Sequence, residues 1–481
     1  MERQLLIRDV YAREILDPAG NLTIETEVLA GEDAVGRASA PSGVFSGRYD
    51  TAGPREEGGP GGERYCQEQR SRDQHRRDQC CRDRGVREAA ENINSRLADE
   101  IIGINVFCQD EIDRILTRAQ RDAARSHMET NALLSISVAA ARAACMALKL
   151  PLYRYLGGIQ AVKMPAPVMN IINSGSCGSG TVGIRKFLIV PAGAGVPFCA
   201  QLQMCAEVYR SVETVLRERG YPAAVGEDGA FIADVAEAGE ALRMIRDAAG
   251  RTGYRMGREL LFAIGAESSG IYDPQQQAYI LGKGKNRPKT AEEMIKYYEE
   301  LTAEFPVCSI ADPLDREDWK GWQMLTERIG SRVQLAGGAL FDADAERIRK
   351  GSRLGAANAV LIRLDRIPTL TEVVRVARTA QEAGYRVALA CCPGETEDVF
   401  AADIAAALGI GQIWAGAPCH SEQTAKYNRL LRIGETLWQP GAAKELCEQE
   451  QKRADLGRNR KRAVLGRNRK SAVRGQGAER H

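Results

Sequence analysis

The feature that most constrains the fold is an alternation of short apolar runs with amphipathic helical segments, which starts beyond Met164. The apolar runs include KFLIVP, LLFAIG, VCSIAD, VQLAGG, AVLIRL and RVALAC. Each is followed by a segment with helical periodicity, such as TAEEMIKYYEELTAEF after LLFAIG. Strand followed by helix, repeated this often, predicts a parallel sheet closed into a β/α barrel. In such a barrel the chemistry takes place at the carboxyl ends of the strands.

The part of the chain before this alternation has a different pattern. QLLIRDVYAREI and LTIETEVLAG alternate like strands and are joined by the turn sequence DPAGN. VREAAENINSRLADEIIG and NALLSISVAAARAACMALKL have helical periodicity. Residues 52–88 contain almost no aliphatic side chains and many charges, so we predict a disordered loop there.

The net charge of +2 conceals an asymmetry between the body of the protein and its C-terminal tail. The stretch from Lys452 to His481 holds eleven basic and two acidic residues, so the remainder is acidic. Within this tail RADLGRNRK is followed at once by RAVLGRNRK, a low-complexity repeat. We favour a solvated extension, because no aromatic side chains that could stack on bases are interleaved. Contact with nucleic acid or an anionic surface is the alternative.

Cysteine usage and hydropathy give expectations about the compartment. The thirteen cysteines are scattered and never spaced C-x-x-C, which favours reduced thiols and a cytoplasmic location. No run of about 18 apolar residues exists, so we expect no membrane span. The N-terminal sequence MERQLLIRDV shows no secretory signal.

A series of motifs carries a resemblance to a known family. In chain order they are VYAREILDPAGNLTIETEV, PSGVFSG, PLYRYLGG, PVMNIIN, YPAAVGEDGAF, CSIADPL, VQLAGGALF, LIRLDRIPTL, PGETEDVFAADIA and GQIWAGAP followed by AKYNRLLRI. They resemble motifs of the enolases and occur in the enolase order. The resemblance runs from about residue 5 to about residue 434 and breaks at residues 52–88.

The resemblance implies an α/β protein with two domains and a tail. Residues 1–135 would form an N-terminal α+β capping domain, residues 136–435 an enolase-type (β/α)8 TIM-like barrel, and residues 436–481 the basic tail. It further implies a homodimer, Mg²⁺ as cofactor, and the glycolytic lyase reaction that converts 2-phosphoglycerate to phosphoenolpyruvate. That reaction removes a proton next to a carboxylate, and metal ions stabilise the resulting dianion.

The positions that the resemblance assigns to metal ligands are occupied by residues that cannot coordinate a metal. They fall on Gly265, Ala311 and Gly338, and Ala339 follows the last of these. Mg²⁺ prefers oxygen ligands, chiefly carboxylates, and these side chains contain no oxygen. We therefore predict that Mg²⁺ is not bound at the usual site.

The acid and base positions are also altered. By resemblance, the base lysine falls on Arg363, which holds its proton and cannot act as a general base. The second active-site lysine falls on Trp414, and the carboxyl helper falls on Lys186. Asp228 stands at the family's acid position but is one methylene shorter. A displacement of about 1 Å can cost roughly a hundredfold in rate.

The substrate-contacting positions differ as well. The family's loop histidine corresponds to Cys177, and its metal-contacting serine corresponds to Phe45. In the family, the segment just before GETED carries the phosphate-binding arginine. Its last three positions are Cys391, Cys392 and Pro393 in this chain. The guanidinium that would bind phosphate through two hydrogen bonds is therefore lost.

Three functional hypotheses follow from this pattern. We favour an impaired or inactive homologue, a pseudoenzyme, because the scaffold motifs resemble the family far better than the site does. An active lyase with a relocated metal site is the second, with Glu267 as its best ligand, since it lies two residues beyond Gly265. The third is a dimeric scaffold that binds anions or nucleic acid through the tail.

The sequence also offers side chains for two other ligands, zinc and a small phosphorylated acid. Cys177, Cys391, Cys392 and the pair Cys419-His420 could supply zinc ligands. We disfavour zinc, because adjacent cysteines on a strand point in opposite directions. The cations of Arg185, Lys186 and Arg363 could instead hold a small phosphorylated acid without processing it.

The two interpretations of the tail differ in one measurement. If the tail binds nucleic acid, deletion of residues 452–481 abolishes the binding, and the affinity of the full chain falls steeply with salt because counterions are released. A filter-binding or anisotropy titration at two salt concentrations measures this. Equal, salt-independent binding by both chains would contradict a role for the tail.

Overall fold

The structure is a computed structural model that describes residues 4–42, 85–122, 130–174, 183–193, 195–281, 288–392 and 394–437. Most of the predicted loop and most of the predicted tail, residues 52–84 and 438–481, lie outside these ranges. The three predicted site positions Phe45, Cys177 and Pro393 also lie outside them.

The N-terminal domain begins with an antiparallel meander. Its strands are β1 (Ile7–Leu16), β2 (Leu22–Ala30) and β3 (Ala34–Ser39). Alternate side chains point to opposite faces of this sheet. Ile24 and Val28 of β2 are fully buried, whereas Glu25 and Glu27 form ion pairs with Arg13 on the other face. The strands predicted from the alternating pattern are therefore confirmed.

Three helices complete this domain. Helix α1 covers residues 85–101 and contains a π-helical turn at Ile93–Leu97, α2 is Gln109–Asp122, and α3 is Thr130–Leu148. The prediction of a disordered loop is wrong for residues 85–88, because they form the first turn of α1. Val86, one of the few aliphatic residues of that segment, is buried in the core of the domain.

Helix α3 is the central helix of the core. It packs against β2 and β3, and Gly36 of β3 permits this close approach, since a Cβ there would lie 1.9 Å from the carbonyl oxygen of Ala139. The helix is long and apolar enough to cross a membrane, but 78% of the relevant window is buried within the protein, as in a core helix. The domain boundary drawn between residues 135 and 136 falls inside this continuous helix.

The second domain alternates strands and helices as the sequence pattern predicts. Its strands are β4 (Ala166–Pro167), β5 (Met169–Asn173), β6 (Lys186–Pro191), β7 (Phe231–Ile232), β8 (Leu260–Gly265), the small hairpin β9 (Tyr272–Asp273) and β10 (Ala278–Tyr279), β11 (Val307–Ala311), β12 (Gln334–Gly337), β13 (Ala359–Arg363), β14 (Arg386–Ala390) and β15 (Gln412–Trp414). Its helices are α4 (Leu152–Gly157), α5 (Phe198–Glu218), α6 (Ala238–Thr252), α7 (Ala291–Glu304), α8 (Trp319–Ile329), α9 (Ala345–Leu354), α10 (Leu370–Glu382), α11 (Phe400–Ala407) and α12 (Ser421–Leu437).

The large sheet curls into a closed barrel. Its order is β4-β15-β14-β13-β12-β11-β8-β6-β5-β7. Only Val168 separates β4 from β5, and its N–H donates to the Ile413 carbonyl of β15 at 2.9 Å. One continuous stretch of chain therefore pairs with β15 on one side and with β6 on the other, which closes the ring.

The expectation of a wholly parallel sheet is wrong at β6. This strand runs antiparallel to both β5 and β8, whereas the pairs from β8 through β15 to β4 are parallel. In the described residues no helix intervenes between β5 and β6, and a parallel return would need a long crossover. As a result, the first residue of β6, Lys186, lies at the barrel end where the parallel strands finish.

Two layers of apolar side chains follow from the strand alternation. The outer layer packs against the helices, and a separate inner cluster fills the barrel. Most members of the inner cluster are small; they include Ala263, Ala311, Ala336, Ala359, Ala388 and Ala390. The barrel is therefore filled with side chains and leaves functional groups to its rim.

The turn GETED, which follows β14, fastens the N-terminal domain to the barrel. Arg142 of α3 pairs with the Asp398 carboxylate through two hydrogen bonds of 2.6 and 2.7 Å. The N–H of Ser39 donates to the same carboxylate at 3.0 Å, and the hydroxyls of Ser39 and Thr396 are 2.7 Å apart. This turn therefore has a structural role.

A buried ion pair within the barrel domain holds the same turn. Lys426 of α12 is fully buried, and its Nζ lies 3.1 Å from the Glu395 carboxylate. The ammonium also donates to the carbonyls of Thr396 and Glu422, at 3.0 and 2.9 Å. Although burial lowers the pKa of Lys426, the charge and hydrogen bond of Glu395 together with other acidic neighbours such as Asp398 more than offset burial, so the pKa is raised and the lysine stays charged.

We expect Lys426→Met to destabilise the fold by about 3–5 kcal/mol, because it leaves the Glu395 charge buried without a partner. Urea unfolding measures the loss. Lys296→Met is the control. The ion pair that Lys296 forms with Glu300 is exposed and contributes at most about 1 kcal/mol. The double variant with Glu395→Gln should recover part of the loss. Equal stability of the two single variants would contradict this account.

Candidate functional site

The strand register brings the predicted site positions together at one end of the barrel. Lys186 pairs with Gly265, and Gly265 pairs with Ala311. Further round the ring, Arg363 pairs with Ala390, which in turn pairs with Trp414 of β15. These residues stand at the carboxyl edge of the parallel strands, together with the first residue of the antiparallel β6. This edge is the barrel mouth.

The Lys186 side chain covers Gly265. A Cβ on Gly265 would lie 3.1 Å from the Lys186 Cβ and 3.6 Å from its Cγ and Cδ. The methylene stem of the lysine therefore fills the space into which a longer side chain at Gly265 would project. Gly265 and the lysine stem that lies over it are thus parts of one local arrangement.

The ammonium of Lys186 lies between two carboxylates. Its Nζ is 3.6 Å from Asp228 Oδ2 and 3.7 Å from Glu267 Oε1. Arg185 also hydrogen-bonds to Glu267. We call Lys186, Asp228 and Glu267 the lysine cluster. It places a protein cation among the carboxylates of the mouth.

Two asparagines orient Asp228. Asn170 Nδ2 donates to Asp228 Oδ2 at 2.7 Å, and Asn173 Nδ2 donates to Oδ1 at 2.8 Å. The sequence analysis did not assign a role to either asparagine. The signal was present in PVMNIIN, where both residues lie within β5 and Asn173 is its last residue, at the mouth.

Glu267 is held by positive charge on several sides. It lies beyond β8 in a left-handed conformation, with φ at 52°. Burial alone would raise its pKa, but the charges of Lys186, Arg185 and Arg363 outweigh burial and lower it. Glu267 is therefore ionised, and its charge is already balanced by side chains.

Asp312, the residue after β11, accepts hydrogen bonds from the backbone that follows β12. Its Oδ1 accepts hydrogen bonds from the N–H groups of Gly338 and Ala339, both at 2.9 Å. Burial raises the pKa of Asp312 to about 6, against the effect of these hydrogen bonds. A Cβ on Gly338 would lie 2.8 Å from Asp312 Oδ2, so this carboxyl group fills the space beside the glycine.

These residues do not fit a Mg²⁺ ion at the family's position. The space over Gly265 holds a lysine stem, and the nearby carboxylates are bound to Lys186 or to backbone N–H groups. In the part of the chain that the structure describes, no group of three His, Cys, Asp or Glu side chains is placed to hold a metal. A dication next to the ammonium would also be repelled.

Arg363 is engaged by a carboxylate of its own strand end. Its Nε and Nη2 lie 3.2 and 2.8 Å from the two oxygens of Asp365. The Cys392 thiol donates to Asp365 Oδ1 at 3.0 Å. With the Cys392 thiol beside it, the Asp365 carboxylate keeps the pKa of Arg363 well above its usual value, so the arginine remains a cation. Asp365 is a third residue to which the sequence analysis assigned no role.

The cysteines are separated by their environments. Cys392 faces Asp365, whereas Cys391 lies near Glu395 and Lys426, so the two point in different directions. Burial raises the pKa of both thiols, which disfavours the thiolate form that zinc requires. Cys199 is disulfide-bonded, so the expectation of reduced thiols is wrong there.

The remaining zinc candidates and Trp414 are held by other contacts. Cys419 Sγ contacts the Tyr209 hydroxyl at 3.2 Å and the Gly229 carbonyl at 3.3 Å. Trp414 belongs to the inner apolar cluster, and among the described residues its indole N–H has no hydrogen-bond partner. Its side chain closes the floor of the mouth with an apolar surface.

The architecture defines a β/α barrel capped by an α+β domain, with charged residues gathered at the carboxyl edge of the strands. Two family models match the chain. The model for "Enolase, N-terminal domain" matches residues 7–156, and that for "Enolase, C-terminal TIM barrel domain" matches residues 161–449. The chain therefore belongs to the enolase family, and the predicted fold is confirmed.

We expect Asp312→Asn to change the pH dependence of stability. The folded pKa of about 6 lies above the ordinary aspartate value of 3.8, so the folded state binds more protons, and stability falls as pH rises between these values. An asparagine oxygen can still accept the two backbone hydrogen bonds. The variant should therefore be more stable than the parent chain at pH 8, with the difference shrinking towards pH 4. Urea unfolding across this range measures it; a difference that is constant with pH would contradict the account.

Proposed function

We propose that this protein is an enolase-family member whose hydro-lyase activity is severely impaired or absent. The observation that carries the proposal is the position of Lys186, whose methylene stem covers Gly265 and whose ammonium lies between Asp228 and Glu267. A cation that belongs to the protein stands where the family reaction requires carboxylates around a metal.

The electrostatic demand of the reaction supports this proposal. Removal of a proton next to a carboxylate creates a dianion, which enolase-type sites stabilise with one or two Mg²⁺ ions. Lys186 supplies a single charge, and Asp228 and Glu267 already partner it. The remaining positive charge at the mouth therefore falls short of that requirement.

The proton-transfer groups support the same conclusion. Arg363, at the position of the base, is a cation bonded to Asp365 and cannot accept a proton at ordinary pH. Both carboxyl oxygens of Asp228 already accept hydrogen bonds from asparagine donors, and the Lys186 ammonium lies 3.6 Å from Oδ2. The base position therefore holds a cation, and the acid position is already engaged by other side chains.

The direct test is turnover of 2-phosphoglycerate with Mg²⁺, followed by the absorbance of the enol product. We expect a rate reduced by at least about a hundredfold relative to an ordinary enolase, because metal, base and acid positions are altered together. A family member with the usual site residues, assayed in parallel, is the control. A comparable rate would overturn the proposal.

Reversing the charge at position 186 tests the metal argument without any assay of activity. Lys186→Glu would place a third carboxylate beside Asp228 and Glu267, and hard cations bind such oxygen clusters. We expect the thermal midpoint of this variant to rise on addition of Mg²⁺, whereas that of the parent chain stays constant.

Lys186→Gln is the matched control, because it removes the ammonium without adding a carboxylate. Its midpoint should respond to Mg²⁺ less than that of Lys186→Glu. A saturable Mg²⁺ effect on the parent chain would mean that the lysine cluster does not exclude the metal.

A further inference from the structure

Cys199 forms a disulfide bond. The other cysteines within the described ranges are free thiols, namely Cys108, Cys145, Cys205, Cys308, Cys391, Cys392 and Cys419. The partner of Cys199 is therefore one of the remaining cysteines of the sequence, which are Cys66, Cys80, Cys81, Cys177 and Cys447. The helices around Cys199 indicate which of these lies within reach.

Cys199 lies at the end of the barrel opposite the mouth, which we call the lower end. β6 begins at the mouth with Lys186 and runs to Pro191 at the lower end, eight residues before Cys199. Helix α5 then runs back towards the mouth, where the Tyr209 hydroxyl donates to the carbonyl of Gly229, next to the aspartate of the lysine cluster, at 2.6 Å. Ten residues of helix separate Tyr209 from Cys199, a rise of about 15 Å.

Helix α12 packs beside α5, runs in the opposite direction and ends at Leu437, also at the lower end. Midway along α12, Tyr427 lies close to Cys205 of α5, because burial and, after it, this neighbouring thiol raise the pKa of Tyr427. Near the end of α12, a Cβ on Gly434 would lie 3.8 Å from the Cε of Met164, which precedes β4. The last described residue of the chain therefore lies on the helix that packs against α5, at the same end of the barrel as the disulfide.

Chain length favours Cys447 as the partner. It lies ten residues beyond Leu437, a stretch that spans up to about 35 Å, so Cys199 is well within its reach. Cys177 lies three residues beyond Ser174, which is at the mouth, and three residues span at most about 11 Å. β6 alone covers about 17 Å between the mouth and the lower end, and the Cα atoms of a disulfide are at most about 7 Å apart. Cys177 would need all of its reach along one straight line, whereas Cys447 needs a fraction of its own.

The three other candidates belong to the segment between residues 42 and 85, both ends of which lie in the N-terminal domain. The backbone N–H of Ser42 donates to the carbonyl of Gly394 at 2.9 Å, in the turn that follows β14. That segment therefore begins on the mouth side of the barrel, whereas the C-terminal segment begins beside α5. A bond from Cys199 to one of these three cysteines would have to join the N-terminal domain to the far end of the barrel.

We propose that Cys447 is the partner of Cys199, so that a disulfide attaches the C-terminal segment to the lower end of α5. The bond joins two thiols with the loss of two protons and two electrons. A low-molecular-weight disulfide accepts both through thiol–disulfide exchange and is reduced to two thiols, and a dithiol reductant reverses the step. The bond uses no residue of the barrel mouth, so it is independent of the lyase reaction.

This bond sets the length of chain that separates the basic stretch from the barrel. Lys452 is five residues beyond Cys447, so in the oxidised chain it stays within about 18 Å of that attachment point. In the reduced chain the nearest described residue is Leu437, and the fifteen residues from there to Lys452 allow about 50 Å. Oxidation therefore shortens the tether of the basic stretch, and reduction lengthens it.

Disulfide mapping of the full-length chain tests the proposal. The chain is incubated with glutathione disulfide, its free thiols are alkylated, and a digest made without reductant is analysed by mass spectrometry. We expect one linked pair of peptides that contains Cys199 and Cys447 and that dithiothreitol separates. A bond from Cys199 to any other cysteine, or no linked pair after the incubation, would overturn the proposal.

Two variants sharpen the mapping. In Cys447→Ser, we expect Cys199 to be recovered in unlinked peptides, as a free thiol or as a mixed disulfide with glutathione. Cys108→Ser is the matched control, because Cys108 is a partly exposed free thiol, and this variant should keep the linked pair unchanged. If Cys199 remained linked to another peptide of the chain in Cys447→Ser, its partner would be a different cysteine and the proposal would fail.

Hydrogen exchange measures the attachment itself. The first turn of α5 should exchange faster in Cys447→Ser than in the oxidised parent chain, because the attached segment restrains the opening of this turn. Dithiothreitol should abolish the difference. Equal exchange in the two oxidised chains would contradict attachment of the segment to α5.

Discussion

The barrel mouth depends on the balance between carboxylates and the positive charge that holds them. Several acidic side chains converge there because the parallel strands end, and β6 begins, at one rim. In this chain, protein side chains supply the counter-charge: Lys186 lies between Asp228 and Glu267, and Arg363 binds Asp365. A partly buried cluster of carboxylates without such partners would be costly. The cationic side chains therefore stabilise the mouth and also determine what it can bind.

The substitutions at the mouth form a consistent set. Gly265 leaves room for the lysine stem, and Gly338 leaves room for the Asp312 carboxyl group. Asp312 in turn engages the backbone of the next loop. Because each of these glycines lies beside a side chain that fills the space, the mouth is closely packed at both positions.

Much of the fold could be predicted from the sequence, because period and motif order are strong signals over a long chain. The alternation beyond Met164 predicted the barrel, and the alternating N-terminal runs predicted the meander. The antiparallel direction of β6 could not be predicted, since KFLIVP has the same composition whichever way the strand runs. The first turn of α1 was also missed, because Val86 is a single buried residue at the edge of a charged segment.

The site was predicted less completely. Motif order placed Lys186, Arg363 and Trp414 at the mouth, and the structure brings their strand ends together. The partners of these residues depend on three-dimensional contacts that no spacing records. Glu267, for example, pairs with Arg185, which lies 82 residues earlier in the chain. The Asp365 contact is local, but its importance becomes visible only when Cys392 is seen to join it.

The contacts between the two domains have a consequence for how the molecule unfolds. Asp398 accepts hydrogen bonds from both a strand residue and a helix residue of the N-terminal domain, and the same turn rests on Lys426 within the barrel. Loosening the turn would disturb both domains together, so a denaturant should melt them in a single cooperative transition. Damage to this one turn would therefore lower the stability of the whole chain, and not that of one domain alone.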